Sequence, residues 1–528
     1  MTIAMGADMG RRTLKALAGT GAALAALMAA PAAAAECREL AQMALPQGKV
    51  TSAALVAAGA FEQPGLPGNL PPGVANAAYK DVPEFCRVQA TLTPTSDSDI
   101  KVEVWLPANG WNGKFVGIGN GIWAGQLSYS QMADPLKRGY AAATTDTGHT
   151  GNGLTAEWAI GHPEKLVDFG HRAVHEMAVT AKRAIEAYYG RAAQKSFWDS
   201  CSTGGRQGLV AAYRHPEDFD AISAMAPANP MTDLMTQSMW AGWQPNRSPG
   251  AMVSVPQWAS VHRAAVRQCD GLDGLEDGVI GRPDACAFDP ATVEGLSAEQ
   301  VETVRAIYRG PPGLPGWPVG SELQLAALTQ GEQPFPVALT YFTMLAFGDR
   351  PGWDWRTFDY TTDAVAGRAY GADILDVPPT GLAAFFARGG KLLMSHGWSD
   401  GLIPATNALR FHDVLAPTLS AQQAASQYRL FMVPGMDHCS GGEGVSSFDT
   451  LGVLDEWTTS GRAPDRILAT RPTQGGGPPG APPQPPRDPM TRPLCPWPQY
   501  ARYNGVGNPQ EAASFTCVAP NAGIGERG

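Results

Sequence analysis

The 528-residue chain is 44% hydrophobic and 17% charged, with a formal net charge of −10. That is ample apolar material for a large core, which excludes a disordered or fibrous chain. The acidic balance argues against nucleic acid or an anionic membrane as a partner.

The chain opens with Arg11-Arg12, an Ala/Leu-rich run from Leu14 to Met28, then Pro31 and an alanine series. Residues 1–35 therefore read as a secretory signal peptide, cut before Glu36. The expected location is the periplasm or the medium. The arginine pair raises the twin-arginine route beside the general one. Glu36 stands where a lipid-anchored Cys37 would need a small residue. No later stretch reaches the roughly 18 apolar residues of a membrane span.

Residues 36–97 are turn-rich. Ile100–Leu106 alternates as a strand, and Lys114–Ile118 is the next, breaking into Gly119-Asn120-Gly121. Gly139–Thr145 is a buried strand ending in Asp146-Thr-Gly-His149, whose histidine reads as structural. His171 and His175 lie four apart on a helix from Asp168 to Tyr189. That spacing can bind zinc, but no third ligand is evident, so they read as packing or surface residues.

Lys195–Trp198 is a short strand, and Leu209–Tyr213 reads as a helix. Between them lies Ser200-Cys201-Ser202-Thr203-Gly204-Gly205. A serine on a tight strand-to-helix turn among small residues has the pattern of a nucleophile elbow. The Thr203 N–H, with that of Gly119 or Gly121, would supply an oxyanion hole. Ser200 stands where such elbows carry a leading glycine, at some expected strain. Ala221–Ala226 is a further strand.

From 229 to 376 the strand rhythm stops, and amphipathic helices such as Gln257–Gln268 and Ala298–Tyr308 take over. This segment reads as a lid domain between a first core part, 36–228, and a second, 377–528. Trp240, Trp243, Trp258, Trp317, Trp353 and Trp355 offer stacking surface for an aromatic substrate, or lid core. Within the segment, Asp270, Asp273 and Asp277 are separated by glycines in a loop between Cys269 and Cys286. With the carbonyls of Leu275 and Val279 they make an oxygen cage suited to a structural calcium ion.

The core resumes at Phe385, and its strand ends in His396-Gly-Trp-Ser-Asp400; Tyr428–Val433 runs into Asp437-His438-Cys439. Phe448–Ser460 is a closing helix, and 474–489 is a Gly/Pro-rich loop. Ser202, Asp400, His438 is the chain order of an α/β-hydrolase triad. Each residue sits just past a strand's carboxyl end, where such sheets place their chemistry. The fold class is therefore α/β, an α/β-hydrolase with a large inserted lid.

Cys-Ser-x-Gly-Gly, with Cys201 before the serine and Cys439 after the histidine, resembles the tannase and feruloyl esterase family, from Cys37 to Cys517. The resemblance implies a disulfide tying nucleophile to base, a calcium site on the acidic loop, and a pocket-facing residue at His396, for which a core histidine is the rival reading. Position and the family's usual pairing together give Cys201–Cys439, Cys269–Cys286, Cys37–Cys86 and Cys495–Cys517, with free thiols as the alternative. The function that follows is an exported serine carboxylic ester hydrolase for small esters of aromatic acids, feruloyl or galloyl. The alternative is a mono(2-hydroxyethyl) terephthalate hydrolase. A remote alternative is a non-catalytic binding protein.

Overall fold

The computed structural model describes residues 36–65, 76–348, 350, 352–473 and 487–520. The segment read as a signal peptide and most of the 474–489 loop lie outside them. Ten strands form one sheet. They are β1 (Ala44–Leu45), β2 (Gly48–Val56), β3 (Phe85–Leu92), β4 (Ile100–Pro107), β5 (Lys114–Ile118), β6 (Ala141–Thr145), β7 (Lys195–Cys201), β8 (Ala221–Met225), β9 (Lys391–Gly397) and β10 (Tyr428–Val433). The order across the sheet is β1-β2-β3-β4-β6-β5-β7-β8-β9-β10. Every pair from β6 through β5 to β10 is parallel, and β1 to β4 run antiparallel as far as β6.

The central strands are apolar on both faces because helices cover both. Between β5 and β8 the chain forms α1 (Tyr129–Lys137), α2 (Ala173–Tyr189) and α3 (Thr203–Arg214). One apolar cluster, with Val174, Met177, Leu209 and Phe411, packs one face; the other, with Met132, Leu136, Leu451 and Trp457, packs the opposite face. The alternation in β4 misleads in one respect. Its Glu103 and Trp105 are fully buried, because the Trp105 indole donates to Glu103 at 2.7 Å and Arg87 pairs with the same carboxylate.

Between β8 and β9 the described residues form helices and no strand. The longer ones are α4 (Met231–Asn246), α5 (Val255–Cys269), α6 (Ala298–Arg309), α7 (Glu322–Thr329) and α8 (Asp363–Leu375). One apolar cluster lies within this insertion, and a second joins it to Trp123, Leu166 and Phe169 of the core. Trp258, Trp317 and Trp355 are buried in them, Trp243 and Trp353 pack against them, and Trp240 donates to the Ala306 carbonyl. All six tryptophans serve the insertion's packing. After β9 come α9 (Thr406–Leu415) and, after β10, α10 (Thr450–Ser460). The hairpins β11 (Ile467–Arg471) with β12 (Met490–Leu494) and β13 (Tyr500–Tyr503) with β14 (Phe515–Val518) end the chain.

Four disulfides join Cys37–Cys86, Cys201–Cys439, Cys269–Cys286 and Cys495–Cys517, and no cysteine is free. Among the described residues no helix is long and apolar enough to cross a membrane.

Candidate active site

β7 passes into α3 through Ser202, whose φ of 64° and ψ of −127° are rare for a residue with a side chain. The conformation is held on both sides. The Ser202 N–H donates to the Met225 carbonyl at 3.0 Å, and the Ser202 carbonyl accepts from Arg206 and Ala228, each at 3.1 Å. Glycines make the tight turn sterically possible. A Cβ on Gly204 would collide with Ser200 Oγ, and one on Gly205 would stand 2.5 Å from the Met225 carbonyl. The expected strain at Ser200 is absent: it lies in regular strand, without a positive φ, and its side chain occupies the space that Gly204 leaves open.

β9 ends in the loop that carries Asp400, and β10 in the loop that carries His438. His438 Nδ1 lies 2.7 Å from Asp400 Oδ2, and Nε2 lies 2.9 Å from Ser202 Oγ. A carboxylate at Nδ1 fixes the proton there, so the Nε2 lone pair faces the serine hydroxyl. Asp400 is fully buried, and its Oδ1 accepts from the N–H groups of Leu402 and Ile403 at 2.9 Å each. Burial opposes its charge, yet His438 and His396 outweigh that and hold its carboxyl well below the usual range. Cys201 and Cys439 flank the serine and the histidine and are bonded to each other, so the two loops are covalently tied.

His396 is not a pocket residue. It is fully buried at the end of β9, and its Nε2 sits 3.2 Å from Asp400 Oδ2 and 3.1 Å from the Ile403 carbonyl. Both partners are acceptors, so Nε2 carries a proton and steadies the carboxylate from behind. The β9 backbone turns the side chain inward, which reverses the expectation of a substrate contact. His149 is structural as expected: it stacks on Trp158 at 3.8 Å, and burial pushes its pKa down to about 4.

Gly119 and Gly121 divide clearly. A Cβ on Gly119 would meet Gln207 and Gly204 at 2.6 Å, so this residue is packed beneath the elbow. Gly121 has open space before it and lines the cleft, as does Thr203. Thr203 opens α3, where an N–H has no acceptor within the helix. Its hydroxyl donates to the Ile122 carbonyl at 2.7 Å, which ties the start of α3 to the loop after β5.

The cleft at Ser202 encloses about 1140 Å³. Part of its wall is apolar, with Met231, Leu234, Met235, Phe335, Val337 and Ile403. Another part is polar, with Asp134, Arg138, Asp199, Asp449, Thr450 and Thr470. Asp199 accepts from Thr450 Oγ1 at 2.7 Å, and burial raises its pKa to about 6. None of the six tryptophans lines the cleft; its rings are Phe335 and Phe448.

Gln324 of α7 was not legible as a site residue. Its Oε1 accepts from the Gly401 N–H at 2.8 Å and from the His438 N–H at 3.1 Å, joining both loops of the site to the insertion. A nearby strut ties the His438 loop alone to the insertion: His262 of α5 lies 2.8 Å from Glu322 and 2.7 Å from Glu443 of that loop.

A family model described as tannase and feruloyl esterase matches residues 86–327 and 343–518. The chain belongs to the tannase and feruloyl esterase family. An uncharacterised esterase of Xanthomonas campestris pv. campestris is 32% identical, over 96% of this chain and 95% of that protein. A probable feruloyl esterase B-1 of Aspergillus flavus is 30% identical, over 85% of this chain and 91% of its own. The crystal structure of feruloyl esterase B from Aspergillus oryzae superposes with a TM-score of 0.80 at 28% identity, over 91% of this chain and 99% of that one. This tannase and feruloyl esterase relative is a carboxylic ester hydrolase with an α/β-hydrolase-type fold.

The acidic loop is closed by Cys269–Cys286. Asp270 Oδ1 is buried without a partner, and burial, with the charges of Asp277 and Asp270, raises the Asp273 pKa to about 7. An unpartnered buried oxygen and crowded carboxylates suit a hard cation. The three side chains are not drawn tightly together: one carboxylate oxygen from each cannot be chosen so that all lie within 4.8 Å of one another, and Asp277 pairs with Arg492.

Proposed function

We propose that Ser202, His438 and Asp400 carry out ester hydrolysis through an acyl-enzyme, on small esters of aromatic acids, in an exported protein. The observation that supports this most is His438 bridging Ser202 and Asp400 at the wall of the cleft. Ser202 Oγ attacks the carbonyl carbon while its proton passes to His438 Nε2. Asp400 keeps the ring oriented and stabilises the imidazolium. The Thr203 and Gly121 N–H groups hold the oxyanion, and losing such a donor typically costs ~100-fold or more in rate. Collapse expels the alcohol, which takes the proton from His438. Water then repeats the sequence and frees both acid and serine.

The apolar wall suits a flat aromatic acyl group, with the Met231 and Met235 thioethers and the Phe335 ring to receive it. The polar wall suits a hydroxylated alcohol. That relatives carry the name feruloyl esterase supports a hydroxycinnamoyl rather than a galloyl ester as this chain's substrate. A terephthalate monoester would bring a carboxylate, and the cleft's lining cation, Arg138, is already paired with Asp449 at 2.7 Å. Four disulfides accord with export. Asp270, Asp273 and Asp277, with the Leu275 and Val279 carbonyls, would hold calcium. Its contribution would be to neutralise the loop's charge, away from the reacting atoms.

The test is kcat/KM on methyl ferulate, methyl gallate and mono(2-hydroxyethyl) terephthalate. Ferulate should lead. Preference for the terephthalate monoester would overturn the assignment.

A further inference from the structure

His175 of α2 has ligands in reach that its sequence neighbourhood does not show. The chain leaves α3 at His215 and brings His215 and Glu217 beside it. One ligand atom from each of His175, His215 and Glu217 lies within 4.8 Å of the others. The two imidazoles stack with centroids 3.8 Å apart and 14° between planes. His175 Nδ1 lies 2.8 Å from Asp218 Oδ2, and Asp218 is itself buried. A carboxylate behind one ring nitrogen is how proteins orient a metal-binding histidine, because it fixes the proton at Nδ1 and raises the basicity of the nitrogen left free, here Nε2. Glu176 adds a further negative charge near His175. Of the nearby cations, Arg172 is paired with Glu164 and Asp168, Arg214 is drawn to the Asp373 carbonyl, and Lys182 donates to the Glu217 carbonyl at 3.2 Å.

We propose that His175, His215 and Glu217 form a surface site for a first-row divalent cation, zinc above all, with Asp218 orienting His175. Two imidazoles and one carboxylate leave a fourth position to water, a common zinc ligand set; because the ring lone pairs lie in the ring planes, binding turns the stacked rings towards a common point. The ion would fasten α2 to the end of α3, the helix that starts at Ser202. Its role is structural, and it is independent of the ester hydrolysis proposed above.

The experiment uses the mature chain without a histidine tag, in excess calcium so that the acidic loop does not compete. Zinc is titrated calorimetrically, and cobalt absorption reports coordination geometry. The wild type should take up a single equivalent of zinc and melt at a higher temperature in its presence. His215→Ala should abolish this uptake, and Asp218→Asn should weaken it by about tenfold or more. Glu217→Gln, at an exposed position, should weaken binding and still fold if His215→Ala does not. No stoichiometric zinc uptake by the wild type, or affinity unchanged in Glu217→Gln, would overturn the site.

Discussion

Replacing Gln324 by methionine keeps the side chain's length and volume and removes one acceptor oxygen. That oxygen serves two N–H groups, Gly401 at 2.8 Å and His438 at 3.1 Å, each next to or within the proposed catalytic set. A buried donor left without a partner costs about 1–3 kcal/mol. Both groups are only partly buried, so the lower end applies, for about 2 kcal/mol in total. Some of that falls on the folded state. The rest loosens the placement of His438 relative to Ser202, and each ~1.4 kcal/mol lost from the transition state is a factor of ten in rate. The expected result is kcat lowered about tenfold, with KM within about threefold, because no cleft contact is removed. Stopped or steady-state assays on methyl ferulate give the split directly, and differential scanning fluorimetry gives the change in Tm. A kcat within twofold of wild type, with Tm unchanged, would refute the view that the insertion positions the histidine loop.

Cys201→Ala with Cys439→Ala opens a bond across 238 residues and should cost about 2–5 kcal/mol in urea unfolding, with a loss of kcat; a cost below about 1 kcal/mol would contradict it. His262 is held protonated between Glu322 and Glu443: burial opposes its charge, but the two carboxylates raise its pKa from 6.5 to about 10. A raised pKa stabilises fully below about 6.5 and is lost as pH rises towards 10, so the stability gap between wild type and His262→Gln should narrow over that window. A gap independent of pH would count against it. Chelation should lower Tm, and calcium but not magnesium should restore it, since a ligand at a hundredfold excess over Kd contributes about 2.7 kcal/mol; protein never exposed to chelator that holds no calcium and ignores EDTA would remove the proposal.

Ser202, Asp400 and His438 could be read from the chain because each depends on local pattern: an apolar strand, its end, and one polar residue beyond it. The glycines of the elbow were legible for the same reason, although the fit of Ser200 against Gly204 needed the backbone path of α3. His396 was misread because a strand's sequence does not say which way its last residue turns. Between the two roles open to the tryptophans, packing and stacking on substrate, the sequence could not choose, because large rings serve either until the neighbours they pack against are known. Gln324, His262 and the partners of His175 were hidden for a different reason. Their contacts join segments 40 to 181 residues apart, and neither periodicity nor motif spacing reports such pairs.

The most direct test of the serine mechanism is covalent labelling with a fluorophosphonate, followed by intact mass and peptide mapping. A single adduct should appear on Ser202, activity should fall in step with labelling, and Ser202→Ala should take no label while melting at nearly the wild-type temperature. An adduct on another residue, or hydrolysis of methyl ferulate by Ser202→Ala within tenfold of wild type, would contradict the account.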